Sequence, residues 1–362
     1  MKRRSMWKAF MVATLAVCVV GALTVTPVMA KTYRLTVGAG HPTAATWAGM
    51  VKDYFCPEVT KRVKEKTGDD IEWVYAFGGS VAKLGEVIDA VKDGLLDVGE
   101  IQYCFTPTKL FLHNFSFVTP FDSPDIMAIA EASTYVHKNV PFLHEYWENE
   151  YNQVYLGAAV INSYHLGTTF PWETMDDLKG KKIAAAGPNL PWLTGTGAVP
   201  VQSDLNEAYT SFQTGVYDGW VMFLDAWVSF KLHEVAKYYK FVNFGAVTNG
   251  AITINKKTWN KMPPEIQKIL KEAGRDYTFE LARVSKEKAD AAIETMKKAG
   301  CHISTLAPEE RKKWVDGLPE LPNIRAQEAK AKGMPGPEVF RAWFKAVEAT
   351  GFEYPRKWKI DD

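Results

Sequence analysis

Two stretches, EVIDAVKDGLLD and EAYTSFQTGVYD, set the strongest limit on the fold. Both read E-x7-G-x2-D: Glu86, Gly94 and Asp97 in one, Glu207, Gly215 and Asp218 in the other. Each glycine falls where a helix needs a left-handed stop. Around the first, Tyr33–Val37 alternates like a strand, and Thr46–Lys66 carries Trp47, Val51, Phe55 and Val59 at helical spacing. Ile71–Phe77 reads as a strand, a helix follows from a Ser80 cap to about Gly94, and Asp97–Ile101 reads as a third strand. Around the second, Ile183–Ala186 is a strand, a short helix over Pro191–Thr196 leads to Pro200 and Val201, and Asp204 with Glu207 opens a helix running to Gly215. A strand from Trp220 follows. Alternating strands and helices imply parallel pairing with helices packed on the sheet. The repeat therefore predicts an α/β protein of two similar lobes, each a mixed, mostly parallel sheet flanked by helices. A further strand, Ala251–Asn255, precedes a helical region from Pro263 to about Gly300, long enough to brace both lobes. Trp314, Trp343, Phe344 and Trp358 in the last segment read as packing residues.

The amino terminus reads as a removable leader. Lys2, Arg3, Arg4 and Lys8 precede an apolar run from Phe10 to Val28, and Val28-Met29-Ala30 resembles a cleavage site. That is a secretory signal peptide over residues 1–30, with an uncleaved membrane helix as the alternative. Cys18 follows Val17 rather than a small residue, which argues against a lipoprotein. Without the leader the chain holds 39 basic and 42 acidic residues. So balanced a charge gives no electrostatic case for nucleic acid. Cys56, Cys104 and Cys301 remain; Cys56 and Cys104 could form a disulfide in an oxidising compartment, or all three could be buried thiols. No Cys/His spacing suggests a metal.

Catalytic signatures are missing. GGSVA lacks the last glycine of a nucleophile elbow, GTGAVP lacks the third glycine of a dinucleotide loop, and no two histidines stand four apart. His113 and His144 read as surface or capping groups, and Asp176-Asp177 as a solvated turn. No cofactor and no catalytic residue is expected. In open α/β sheets ligands sit beyond the carboxyl ends of strands, and two facing lobes make a cleft closed by a hinge. The residues at those ends are His41, Glu100, Gln102 and Tyr103 in the first lobe, and Ala184–Ala186 with Trp220–Phe223 in the second.

Three segments, DDLKGKKIAAAG, GAVPVQSDLNEAYTSFQTGVYDGW and AITINKKTWNKMPPEIQKIL, together with YAFGGSVAKLGEVIDAVKDGLLDVGEI, make the chain similar to a known family. It resembles the solute-binding proteins of tripartite ATP-independent periplasmic (TRAP) transporters over roughly residues 32–300. The resemblance implies a periplasmic binding protein fold, with residues 31–158 and about 250–275 in lobe one. Residues 159–249 and about 276–362, including the C-terminal helices, would form lobe two. It also implies a periplasmic receptor, monomeric or homodimeric, that passes a small organic solute to a small and a large membrane subunit.

The departures from the family pattern bear on the ligand. The arginine that usually follows the "KI" and clamps a carboxylate in two parallel hydrogen bonds is here Ala184. A second basic position is Tyr164, and a polar run after the second "DG" is Trp220, Val221, Met222 and Phe223. Trimmed side chains walled by Tyr164, Trp220, Met222 and Phe223 suit an aromatic or apolar ligand body. Glu100, if it faces the cleft, would suit an amine. The alternatives are a carboxylate held by a relocated basic residue with Ala184 merely buried, a secreted enzyme on the same scaffold, and a ligand-sensing receptor.

Overall fold

The computed structural model describes residues 30–362. The expected signal peptide and Cys18 lie outside the described residues, apart from Ala30. The first sheet contains β1 (Thr32–Ala39), β2 (Asp70–Ala76), β3 (Val98–Gln102), β4 (Gln153–Ile161) and β10 (Val247–Asn255). The second contains β5 (His165–Thr168), β6 (Lys182–Ala185), β7 (Val199–Gln202), β8 (Gly219–Met222), β9 (Tyr238–Phe241) and β11 (His302–Thr305). Their orders are β2-β1-β3-β10-β4 and β11-β9-β5-β8-β6-β7. Parallel pairs form where the repeat lies, β1 with β2 and β3, and β6 with β7 and β8. The antiparallel partners β10 and β5 come from segments outside it. Both sheets are open and mixed, as the alternation predicts.

The repeated motif performs one task twice. Gly94 and Gly215 end their helices at φ +80° and +69°. Three residues on, an aspartate ties the incoming strand to its parallel neighbour. Asp97 Oδ2 accepts the Thr36 amide at 2.8 Å, and Asp218 Oδ2 accepts the Lys182 amide at 2.8 Å. The helix expected from Ser80 starts only at Val87. Residues 80–86 form bends and turns instead.

The chain passes between lobes at residues 162–164, at residues 242–246, and through a 35-residue helix, Pro264–Lys298. The first two passages pair with each other: the Tyr164 amide donates to Gly245 O (3.1 Å) and the Phe244 amide donates to Tyr164 O (3.0 Å). The long helix packs on β4 at one end and on the helix Leu224–Ser229 of the second lobe further along. Contact with β4 is backbone to backbone. A Cβ at Gly157 would stand 2.0 Å from Gly274 O, so only glycine fits there.

The C-terminal helices do not all belong to lobe two. Trp314 is buried against it, its indole donating to Trp192 O. The helix Gly336–Glu348, however, returns to lobe one and packs on the helix Ile126–Asn139. There Trp343 donates to Asp122 Oδ2 at 2.8 Å and lies 4.8 Å from the Phe115 ring. Its apolar stripe of Val339, Phe340, Trp343 and Val347 decides which lobe it covers, and nothing in its own sequence specifies the partner.

Candidate functional site

The ends of β1, β3, β6, β7 and β8 meet between the lobes around a cavity of about 20 Å³, roughly one water's worth. From lobe one come His41 and Trp47 after β1, Gln102 at the end of β3, Cys104 and Phe105 in the following turn, and Asn249 on β10. From lobe two come Ala186 after β6, Asp204 and Leu205 after β7, and Trp220, Met222 and Phe223 at β8. Tyr164 enters from the passage between lobes. The two walls already touch: Trp47 and Phe223 have ring centroids 5.7 Å apart. Beside them Thr46 Oγ1 of lobe one donates to the buried Asp225 Oδ2 of lobe two at 2.9 Å. Asn162, on the passage, donates to the other oxygen of Asp225 at 2.8 Å. A second, larger space of about 530 Å³ is lined by Gly40, Gly78, Gly79 and Lys83. Asp204 lines both spaces.

The first-lobe wall is polar and internally bonded. Gln102 donates to Glu100, Asn249 donates to Gln102, and the Cys104 thiol lies 3.8 Å from Asn249 Oδ1. Glu100 Oε2 has no partner. Burial, opposed in part by the Gln102 bond, pushes its carboxyl up to about 8. Burial also pulls His41 down to about 3, so its ring is neutral near pH 7. Asp204 is raised, first by burial. Among the described residues no lysine or arginine lines the inner cavity.

Of the residues singled out from the sequence, the fold brings His41, Gln102, Tyr164, Trp220, Met222 and Phe223 to this cavity. It does not bring Ala184, Glu100 or Tyr103. Ala184 is fully buried and lies in register with Trp220 on the next strand. Register partners project to the same face of a sheet, so the space that alanine leaves lies beside the Trp220 indole. Ala186, two residues on, reaches the cavity instead. Glu100 sits behind Gln102, and Tyr103 turns into a separate cluster with His113 and Trp147. His113 itself is fully buried, not on the surface. Cys56, Cys104 and Cys301 are free, so Cys56 and Cys104 are not joined. Sequence reasoning missed Trp47, Cys104, Phe105, Asp204, Leu205 and Asn249 as wall residues. Asp204 was legible as a helix-start residue and Trp47 as a helix-face residue, and neither pattern tells a core from a cleft. The stretch after each strand end carried the signal.

A groove of about 480 Å³ also lies on the second sheet around Lys240, whose ammonium pairs with Glu173 at 2.8 Å. It borders β9 and β11 rather than the strand ends shared by both lobes. Among the described residues no His/Cys/Asp/Glu group could hold a metal, and no helix is long and apolar enough to cross a membrane.

Two hinged α/β lobes closing on a ring-walled space at their strand ends define a cleft-type ligand-binding protein. The chain belongs to the bacterial extracellular solute-binding protein family 7, whose profile matches residues 50–342. It is 26% identical to the C4-dicarboxylate-binding periplasmic protein DctP of Rhodobacter capsulatus over 198 residues. That alignment covers 51% of this chain and 59% of DctP, less than two thirds of the relative's length. The fold is similar to that of a TRAP periplasmic solute binding protein from Desulfovibrio salexigens. That match has a TM-score of 0.75 at 19% identity and covers 90% of this chain and 98% of the other. A Bordetella bronchiseptica TRAP periplasmic solute binding protein with bound (R)- and (S)-mandelate matches with a TM-score of 0.74 at 20% identity, covering 88% and 99%. Membership in a family of binding proteins sets the enzyme reading aside.

Proposed function

We propose that the chain, exported by its leader, is the extracytoplasmic receptor of a TRAP-type transporter. It closes its lobes on a small organic molecule and delivers it to the small and large membrane subunits. The ligand has an apolar or aromatic body and is not anchored through a carboxylate. The observation that carries this reading is a cavity wall without a cation. DctP is named for C4-dicarboxylates and the Bordetella protein holds mandelate, and both ligands are acids. A desolvated carboxylate needs a fixed positive partner. Here Ala184 stands where the family resemblance implies an arginine, His41 is neutral, and Lys83 lines the neighbouring space rather than the inner cavity. The inner space is far below the usual ligand-site volume of roughly 300–1,000 Å³, so admission requires the lobes to part.

An amine is the second reading. It is favoured by Asp204, which lines both spaces and forms no ion pair among the described residues.

A thermal-shift screen of the purified protein against acids, amines and neutral aromatics tests the proposal. A concentration-dependent rise for non-acids is expected. Tight binding of dicarboxylates or keto acids alone would overturn it. Trp220→Ala should weaken the ligand found by about 1–3 kcal/mol through lost ring burial.

A further inference from the structure

We propose that the guest of this cavity is an uncharged ring-bearing molecule with a hydrogen-bond-accepting oxygen head, held by the indole N–H groups of Trp47 and Trp220. The inference rests on the cavity reading above and narrows its ligand class. Trp47 and Trp220 are 2% and 1% exposed, both line the cavity, and neither Nε1 has a partner. A buried indole N–H usually finds an acceptor. Elsewhere in this molecule several do: Trp73, Trp192, Trp314 and Trp343 all donate to oxygen. The other buried indoles without partners, Trp147, Trp172 and Trp227, lie away from the inter-lobe cavity.

The remaining polar groups add further donors and no positive charge. The side-chain oxygens of Gln102 and Asn249 are already engaged, by Asn249 Nδ2 and by the Cys104 thiol. Each amide has thus used one acceptor site and one N–H, and keeps one of each to offer. His41 adds a neutral ring with both nitrogens unpartnered, one donor and one acceptor. The wall is therefore rich in donors and lacks cations. Such a wall satisfies a carbonyl or ether oxygen. It gives an ammonium a single counter-charge, Asp204, and it gives a carboxylate none. Trp47 comes from lobe one and Trp220 from lobe two, so an oxygen bonded to both also ties the lobes together.

The test is calorimetric titration of the purified protein with four probes sharing one ring: acetophenone, toluene, benzoate and benzylamine. Acetophenone is expected to bind about tenfold or more tighter than each of the others, the value of a neutral hydrogen bond in a dry site. Trp47→Phe and Trp220→Phe keep a ring in place but remove the donor, and each should shrink the acetophenone-over-toluene margin. Benzoate or benzylamine binding as tightly as acetophenone would overturn the inference. So would a margin unchanged in both variants. Toluene binding with no preference for acetophenone would overturn it too, while leaving the cavity reading intact. Binding of none of the four would overturn both. Thermal melts of the unliganded variants confirm that a lost margin is not lost folding.

Discussion

The two lobes are built by the same local device and present opposite chemistry. In each, an E-x7-G-x2-D segment stops a helix on a left-handed glycine and pins two parallel strands with an aspartate. Yet the strand ends that follow differ. Lobe one offers a bonded chain of Glu100, Gln102, Asn249 and Cys104, while lobe two offers Trp220, Met222 and Phe223. The turn fixes where the wall stands, and two or three residues beyond it decide what the wall is made of. Function can therefore diverge between the lobes without disturbing the framework that they share.

Three experiments sharpen or break that comparison. The largest effect is expected at the buried acid of the polar wall. Glu100 is raised from 4.5 to about 8 in the folded protein. The folded state therefore holds its proton more tightly than the unfolded chain. Its contribution is fully present below about pH 4.5, is lost as pH rises to about 8, and is flat above. Glu100→Gln should remove this dependence and stabilise the protein at pH 9 by about 5 kcal/mol at most. Equal slopes for both proteins, from urea unfolding at pH 5 and 9, would show that Glu100 is not the cause.

Next come the paired aspartates. Asp97 accepts the Thr36 amide and also the Thr258 hydroxyl at 2.6 Å, whereas Asp218 has only the Lys182 amide as a side-chain bond. Asp97→Ala should cost about 2–4 kcal/mol and Asp218→Ala about 1–2 kcal/mol. A larger loss at Asp218 in chemical denaturation would break the equivalence of the two turns.

The smallest effect concerns the contact between the lobes. Thr46→Val keeps the shape of the side chain and removes the donor to Asp225. It should shift the lobes toward opening by about 1 kcal/mol, visible as a larger radius of gyration in solution scattering. An unchanged radius would mean that the Thr46–Asp225 bond does not hold the closed arrangement, leaving it to contacts such as Trp47–Phe223 and the Trp192 indole on Phe117 O.

Much of the architecture was legible from period and punctuation. The strands of the repeat, the two glycine stops and the long helix all follow from local pattern. The strands β4, β5, β9 and β11 were not, because their partners are set by distant segments and their sequences carry weak alternation. The lobe chosen by the helix Gly336–Glu348 was hidden for the same reason: a stripe of apolar residues announces burial but not against what. At the cavity, strand-end logic reached His41, Gln102 and Trp220. It failed at Ala184, Glu100 and Tyr103 because depth along a strand, one residue short of the rim or turned behind it, is fixed by register and not by residue type.

Tyr164 occupies an unusual place. Its backbone is zipped to Phe244 and Gly245 where the two passages run side by side, while its ring stands 5.1 Å from Phe223 inside the cavity. On the proposed receptor reading, the ring that meets the cargo and the backbone that spans the lobes are thus one residue. Displacing that ring would then lever the joint directly, with no relay of intervening side chains, so that loading and flexing would be geared on a common axle.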